Sequence, residues 1–184
     1  MKVTLYLALF FLFNCCENPK AKTQDQPNAD VLITEVKNKT IQFLRKEKKL
    51  CACGFGSGGM DQIRMLALSF NYYDEIDIDQ ARELLVVAGT KFLSTINSNE
   101  KLRPFLKNTP FTTENIEIRI FVQKPNGKEP DQGKLTVLSM VDGILSYKVD
   151  NPETNRFRTI LKETFEEAEA KRICIPCTSS QEAL

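Results

Sequence analysis

The chain has 184 residues, 42% hydrophobic and 27% charged, which is the composition of one ordinary globular domain with a short additional segment. Its 25 Lys and Arg residues are balanced by 24 Asp and Glu residues, so composition gives no reason to expect a nucleic-acid-binding protein. Because the chain has no histidine, Ser-His-Asp catalysis, Cys-His catalysis and histidine-ligated metal sites are excluded.

The first fourteen residues are typical of a cleaved export signal. Lys2 precedes an apolar run over residues 3–13, which is too short to span a bilayer because a spanning helix needs about 20 residues. The alternative is a buried N-terminal helix, but such a helix normally shows a polar face, which this run lacks. We therefore expect residues 1–14 to be a signal peptide.

The residues that follow the apolar run resemble a known sorting signal. Leu12-Phe13-Asn14-Cys15 is similar to the lipobox of bacterial lipoproteins, in which the cysteine receives the lipid. The resemblance covers the signal segment alone. It implies lipid attachment at Cys15, with Cys16 as the alternative, and an exported protein anchored to the inner or outer membrane of a bacterial envelope. A signal peptide without lipidation is the other interpretation.

Residues 15–29 join this anchor to the rest of the chain. After the two cysteines they contain two prolines and no large apolar side chain, so we expect a flexible tether. A single folded domain is expected over residues 30–173, followed by a cysteine-containing tail over residues 174–184.

Three helices are predicted at the start of this domain. The first follows Asn28 or Asp30 as N-cap and ends near Leu50. The second presents an apolar face of Ile63, Leu66, Ala67 and Phe70. The third begins with a capping box of Asp77 and Gln80. Its predicted buried residues are Ala81, Leu84, Leu85, Ala88, Phe92 and Ile96.

The hydrophobic period then changes to that of β-strands. Residues 116–122 alternate apolar and polar side chains, and two further strands, 135–141 and 144–149, flank the hairpin signal Asp142-Gly143. The turn predicts the cross-strand pairs Met140–Leu145, Leu138–Tyr147 and Thr136–Val149.

A last helix is predicted after Asn151 and Pro152, ending near Arg172. Its apolar residues would be Phe157, Ile160, Leu161, Phe165 and Ala168. The predicted fold class is therefore α+β, with three N-terminal helices, an antiparallel three-stranded meander and a C-terminal helix.

Four cysteines remain outside the signal segment: Cys51, Cys53, Cys174 and Cys177. Cysteines of exported proteins usually form disulfides, and we expect bridges between the two pairs, each closing a loop of more than a hundred residues. The alternatives are a four-cysteine zinc site, a redox-active Cys-x-x-Cys motif and free thiols.

A glycine-rich segment follows the first of these pairs. Gly54, Gly56, Ser57, Gly58 and Gly59 match the dinucleotide pattern but lack its strand–turn–helix context. Since a helix is expected after the segment, it is a candidate anion-binding loop whose N–H groups would hold a carboxylate or phosphate. A plain connection is the alternative.

Two charged runs have simpler explanations than a ligand. The acidic residues between positions 74 and 79 lack the glycine of a calcium loop, so helix capping explains them better. The basic residues between positions 45 and 49 complement the negative end of the first helix, with anionic lipid as the alternative partner.

These patterns indicate a membrane-tethered envelope lipoprotein with a non-enzymatic binding or structural role. Its expected partners are the membrane, through the lipid anchor, and an envelope protein or small ligand. No catalytic residue, cofactor, metal or nucleic-acid partner is predicted. The alternative function is an exported thiol-disulfide or hydrolytic enzyme, because Cys-x-x-Cys, carboxylate pairs and Ser-Lys arrangements need no histidine.

Overall fold

The computed structural model describes residues 28–154 and 156–173, which form three helices and six strands. The helices are α1 (Ala29–Lys48), α2 (Ile78–Asn97) and α3 (Phe165–Ile173). The strands are β1 (Cys51–Gly58), β2 (Met65–Tyr72), β3 (Ile116–Val122), β4 (Leu135–Val141), β5 (Ile144–Asn151) and β6 (Arg156–Thr164). None of the helices in this part of the chain has the length and apolar content needed to cross a bilayer.

The strands form one mixed sheet in chain order, β1-β2-β3-β4-β5-β6. All neighbours are antiparallel except β2 and β3, which are parallel. The parallel pair arises because α2 lies between these two strands in the chain. It returns the chain to the end of the sheet where β2 begins, so β3 runs in the same direction as β2. As a result, β2 and β3 end together at Tyr72 and Val122, while α2 begins beyond that end of the sheet.

All three helices pack against one face of the sheet, which we call the helix face. Ile116, Ile118, Ile120 and Val122 of β3 point into this core and are buried, while Glu117, Arg119 and Phe121 point to the opposite, open face. Gly89 allows α2 to lie close to the sheet, because a Cβ there would come within 2.9 Å of Met140 Cε and 3.0 Å of Phe165 Cε2.

The predictions for α1 and α2 are confirmed. Asn28 caps α1 by accepting a hydrogen bond from the backbone N–H of Asp30. Asp77 and Gln80 form the predicted capping box of α2. The buried residues of α2 include all six that were predicted, together with Arg82, Val86, Gly89 and Thr95.

The predicted fold class is wrong, because the sheet has six strands and the expected second helix is strand β2, which pairs with β1. Leu66, Leu68 and Phe70 alternate with half-buried residues, which is strand periodicity, and all three lie in the core. The helical interpretation grouped Leu66, Ala67 and Phe70, but Ala67 points to the other face. The glycine-rich segment before it forms the edge strand β1 instead of a loop.

The predicted last helix is also wrong over its first half. Residues 156–164 form β6, which pairs with β5, and α3 begins only at Phe165. Phe157 and Ile160 are therefore exposed strand residues, 56% and 43% accessible, and not part of an apolar helix face. The predicted three-stranded meander is the β3–β5 part of a larger sheet.

The β4–β5 hairpin turns at Asp142 and Gly143, which both have positive φ, as a type I′ turn requires. The predicted pairs Met140–Leu145 and Leu138–Tyr147 are confirmed. The predicted pair Thr136–Val149 is wrong, because a register shift between Leu135 and Val137 places Leu135 opposite Val149.

A buried carboxylate joins the helices to the sheet. Glu163 of β6 is 5% exposed. Its Oε1 accepts hydrogen bonds from Arg82 Nε at 2.7 Å and from the Tyr147 hydroxyl at 2.6 Å. Its Oε2 accepts one from Lys171 Nζ at 2.7 Å. This Glu163 cluster therefore connects α2, β5, β6 and α3 through one side chain.

The cluster fixes the protonation states of its members. Burial alone would raise the pKa of Glu163, but the hydrogen bonds from Arg82, Lys171 and Tyr147 outweigh it, so the pKa lies below its ordinary value. Burial, followed by the hydrogen bond to Glu163, raises the pKa of Tyr147 far above its ordinary value. Glu163 is thus the charged acceptor and Tyr147 the neutral donor.

The hairpin turn can be tested with two valine substitutions. Gly143 (φ 71°) and Gly127 (φ 79°) both have left-handed backbone, where valine costs about 1–2 kcal/mol. At Gly143 a Cβ would also approach Thr113 Oγ1 to 3.0 Å, whereas nothing lies within 4 Å of a Cβ at Gly127. Gly143→Val should therefore lower Tm more than Gly127→Val, and equal shifts would show that the turn is not a structural constraint.

The Glu163 cluster can be tested by its pH dependence. Because the folded-state pKa of Glu163 is depressed, the ionised carboxylate stabilises the fold above the unfolded-state pKa, and this contribution is lost as the pH falls through the folded-state pKa. Glu163→Gln should lower the free energy of unfolding at pH 7 by roughly 3 kcal/mol. It should also weaken the loss of stability, measured by urea denaturation, as the pH falls below the ordinary glutamate pKa of 4.5.

Glu166→Gln is the matched control, since Glu166 is an exposed glutamate three positions after Glu163, in the first turn of α3. It should leave both the stability at pH 7 and its pH dependence nearly unchanged. An acid-side stability profile of Glu163→Gln that matches the unmodified protein would contradict this account.

Candidate functional site

The open face of the sheet carries a cleft of about 640 Å³ at the end where β3 stops and β6 begins. Its volume lies within the range of small-molecule sites. The cleft is lined by Phe121, Val122, Gln123, Glu129, Thr136, Val137, Lys148, Asp150, Arg156, Phe157 and Thr159. These residues come from β3, β4, β5, β6 and the loop between β3 and β4.

Strand register sets the floor of the cleft. Phe121 lies opposite Val137, Val137 opposite Lys148, and Lys148 opposite Thr159, so these four residues form one row across four strands. Nearer the end of the sheet, Asp150 lies opposite Phe157. The floor therefore combines an apolar part on β3 and β4 with a charged part on β5, which Thr159 and Phe157 of β6 border.

Four charged side chains line the cleft: Glu129, Lys148, Asp150 and Arg156. No salt bridge joins any of them to another residue in the described ranges. By contrast, nearby Lys124 pairs with Asp131 at 2.6 Å. The charges in the cleft are thus available to a ligand.

The β3–β4 loop, which supplies Glu129, is held in place by its own contacts. Lys124 accepts a backbone hydrogen bond from Gly127 and donates one to the carbonyl of Lys128, both at 2.8 Å. Lys134 Nζ reaches Glu75 Oε2 at 3.1 Å, which ties the end of the loop to the segment before α2. The loop wall of the cleft is therefore positioned before a ligand arrives.

The predicted anion-binding loop does not have the geometry on which the prediction depended. Gly54, Gly56, Ser57 and Gly58 lie in β1, and Gly59 follows it. Because the next element is β2, there is no helix N-terminus to direct N–H groups at an anion. The predicted site therefore loses its physical basis.

The cysteine predictions are only partly within the described residues. Cys51 and Cys53 are not bonded to each other. A register shift between Ala52 and Gly54 leaves Cys53 without a partner on β2, and partial desolvation raises the pKa of its thiol. Cys15, Cys16, Cys174 and Cys177 lie outside the described residues.

One ion-pair arrangement brings the end of α3 towards the end of α1. Glu83 of α2 accepts Lys48 Nζ on Oε1 at 3.0 Å, and its Oε2 lies 3.5 Å from Arg172 Nε. Lys48 precedes Cys51 by three positions, and Arg172 precedes Cys174 by two. The described chain therefore leaves α3 close to the place where β1 begins.

The charged runs have structural roles. Asp77 caps α2, and Asp79 pairs with Arg82. No group of three or more potential metal ligands occurs in residues 28–154 and 156–173. Arg45, Lys46 and Lys48 lie in the last turn of α1, as their interaction with the helix end requires.

The cleft itself was missed by the sequence analysis. Its residues Arg156 and Phe157 were assigned to the predicted last helix, whereas they lie on β6. The alternation of Lys148 and Asp150 on one strand face was the available signal. Comparison with protein families, curated proteins and solved structures finds no match for this chain.

The disulfide prediction can be tested by counting thiols. If one of Cys51 and Cys53 is bridged to Cys174 or Cys177, mature full-length protein unfolded without reductant should show fewer free thiols than after reduction. Cys53→Ser and Cys51→Ser would identify the partner, and reductant should lower Tm because the bridge closes a loop of over a hundred residues. Four free thiols at these positions would exclude the bridge.

Proposed function

We propose that this protein is a lipid-anchored envelope protein whose domain binds a small ligand without chemical conversion. The observation that carries the binding role is the cleft with four charged side chains that lack ion-pair partners in the described structure. Unpaired charges that converge on a preformed concavity favour a binding site over an ordinary surface. The anchor rests on the lipobox resemblance at Cys15.

The residues of the cleft favour binding over catalysis. Glu129, Asp150 and Arg156 are exposed, and general acids and bases of enzymes are more often buried or placed against a like charge. The largest pKa shift among the described residues, that of Tyr147, belongs to the Glu163 cluster on the helix face. The cleft therefore contains charges for recognition and lacks an evident proton-transfer pair.

The second candidate function is the exported hydrolase. Two carboxylates, Glu129 and Asp150, line the same cleft, and Thr159 lies directly opposite Lys148. Hydrolases use carboxylate pairs or a hydroxyl activated by lysine. However, no hydrogen bond is found between Thr159 and Lys148, so the hydroxyl has no base positioned to activate it. Binding is the better-supported function.

The anchor can be tested by metabolic labelling in a bacterium. The full-length protein should incorporate an alkyne fatty acid and partition into the membrane fraction, and Cys15→Ser should abolish both, because it removes the proposed attachment site. Cys16→Ser is the control and should remain labelled. Loss of label in Cys16→Ser alone would move the attachment to that residue, and an unlabelled native chain would overturn the anchor.

A further inference from the structure

The charges of the cleft are arranged with opposite signs at its two sides. Glu129 comes from the β3–β4 loop, whereas Arg156 is the first residue of β6. Between them, Lys148 and Asp150 lie two positions apart on β5 and share the open face, so their charges offset each other. A carboxylate therefore lines the cleft at the β3–β4 loop and a guanidinium lines it at the start of β6, with one further charge of each sign between them.

The distance between these sides follows from the sheet. Three interstrand spacings separate β3 from β6, which is about 14 Å at ~4.8 Å each. An extended peptide advances about 3.3–3.6 Å per residue, so about four residues cover this span. A free amino acid would reach only one side of the cleft.

The floor between the charged sides is suited to an apolar side chain. Phe121 and Val137 are direct cross-strand neighbours, and Phe157 stands on the β6 side. Val137 is buried although it lies on the open face, so the floor is recessed. An apolar group placed here would be removed from water.

From this arrangement we propose that the cleft binds short peptides of about four residues in their zwitterionic form. The terminal ammonium lies towards Glu129, the terminal carboxylate contacts Arg156, and an apolar side chain packs on Phe121 and Val137. This proposal rests on the proposed binding function and specifies its ligand. Nucleic acid does not fit, because the two cations are offset by two carboxylates and no surplus positive charge faces phosphates.

The charge assignment can be tested by calorimetric titration of the full-length protein with the tetrapeptide alanyl-leucyl-alanyl-alanine. N-acetylation of the peptide removes its ammonium and C-amidation removes its carboxylate, and each should weaken binding at least fivefold. Arg156→Gln should weaken binding of the free acid but not of the amide. Glu129→Gln should weaken binding of the free amine but not of the acetylated peptide.

Matched controls separate recognition from changes in folding. Arg158→Gln and Glu153→Gln alter exposed residues that do not line the cleft, and both should bind like the unmodified protein. Thr159→Trp should fill the cleft and abolish binding, whereas Lys162→Trp, on the same strand and outside the cleft, should not. Tm measured for each variant identifies any that fails to fold.

The outcomes show whether only the peptide assignment is wrong or the binding function is wrong as well. The peptide assignment would be overturned if free and blocked peptides bound with equal affinity. It would also be overturned if Arg156→Gln weakened binding of the amide as much as of the free acid, or Glu129→Gln weakened binding of the acetylated peptide as much as of the free amine. A fragment library screened by ligand-observed NMR then tests the cleft itself. Fragments that bind the unmodified protein and are lost in Thr159→Trp would retain the binding function with another ligand class. If no fragment binds in a way that Thr159→Trp abolishes, both the peptide assignment and the binding function are overturned.

Discussion

One buried carboxylate links two of the three helices, α2 and α3, to the sheet. Glu163 accepts hydrogen bonds from Arg82 of α2, Tyr147 of β5 and Lys171 of α3. A carboxylate with 5% exposure is unstable without such partners, and each donor would lose a charged acceptor if the geometry changed. The cluster therefore favours one arrangement of α2 and α3 over alternatives that hydrophobic packing alone would permit.

This arrangement has a direct effect on the opposite face of the sheet. Since all three helices pack on the helix face, the described chain provides no helix to cover the open face, where the cleft lies. The two faces consequently carry different kinds of polar group. On the helix face the ionisable groups are satisfied by one another, whereas in the cleft they lack ion-pair partners among the described residues. The ionisable groups of the helix face stabilise the fold, and those of the cleft are free to bind a ligand.

The elements that the sequence predicted correctly are those with local causes. The cap at Asn28, the capping box at Asp77 and the turn at Asp142-Gly143 each depend on residues within four positions of one another. The hairpin β1–β2 was missed because its apolar residues fit helical spacing as well as alternation. Strand formation there depends on the parallel pairing of Leu66 with Ile116, far along the chain.

The candidate site was unpredictable for a related reason. Phe121, Lys148 and Phe157 become neighbours only through the register of four strands, and Arg82 meets Glu163 across 81 positions of sequence. Composition also concealed the site, because 25 basic and 24 acidic residues give almost no net charge, wherever those residues lie in the fold. Sequence patterns of this kind predict elements better than the surfaces that they build.

The direction of α1 separates the cleft from the end of the domain that follows residue 27. Ala29 begins this helix at one end of the sheet, and Lys48 ends it beside Glu83 and immediately before β1, at the end that contains the cleft. A helix of 20 residues extends about 30 Å. If the proposed lipid on Cys15 holds the protein at a membrane, the tether would therefore join the domain at the end opposite the cleft. The attachment point would then leave the cleft open, whichever way the domain turns on its tether.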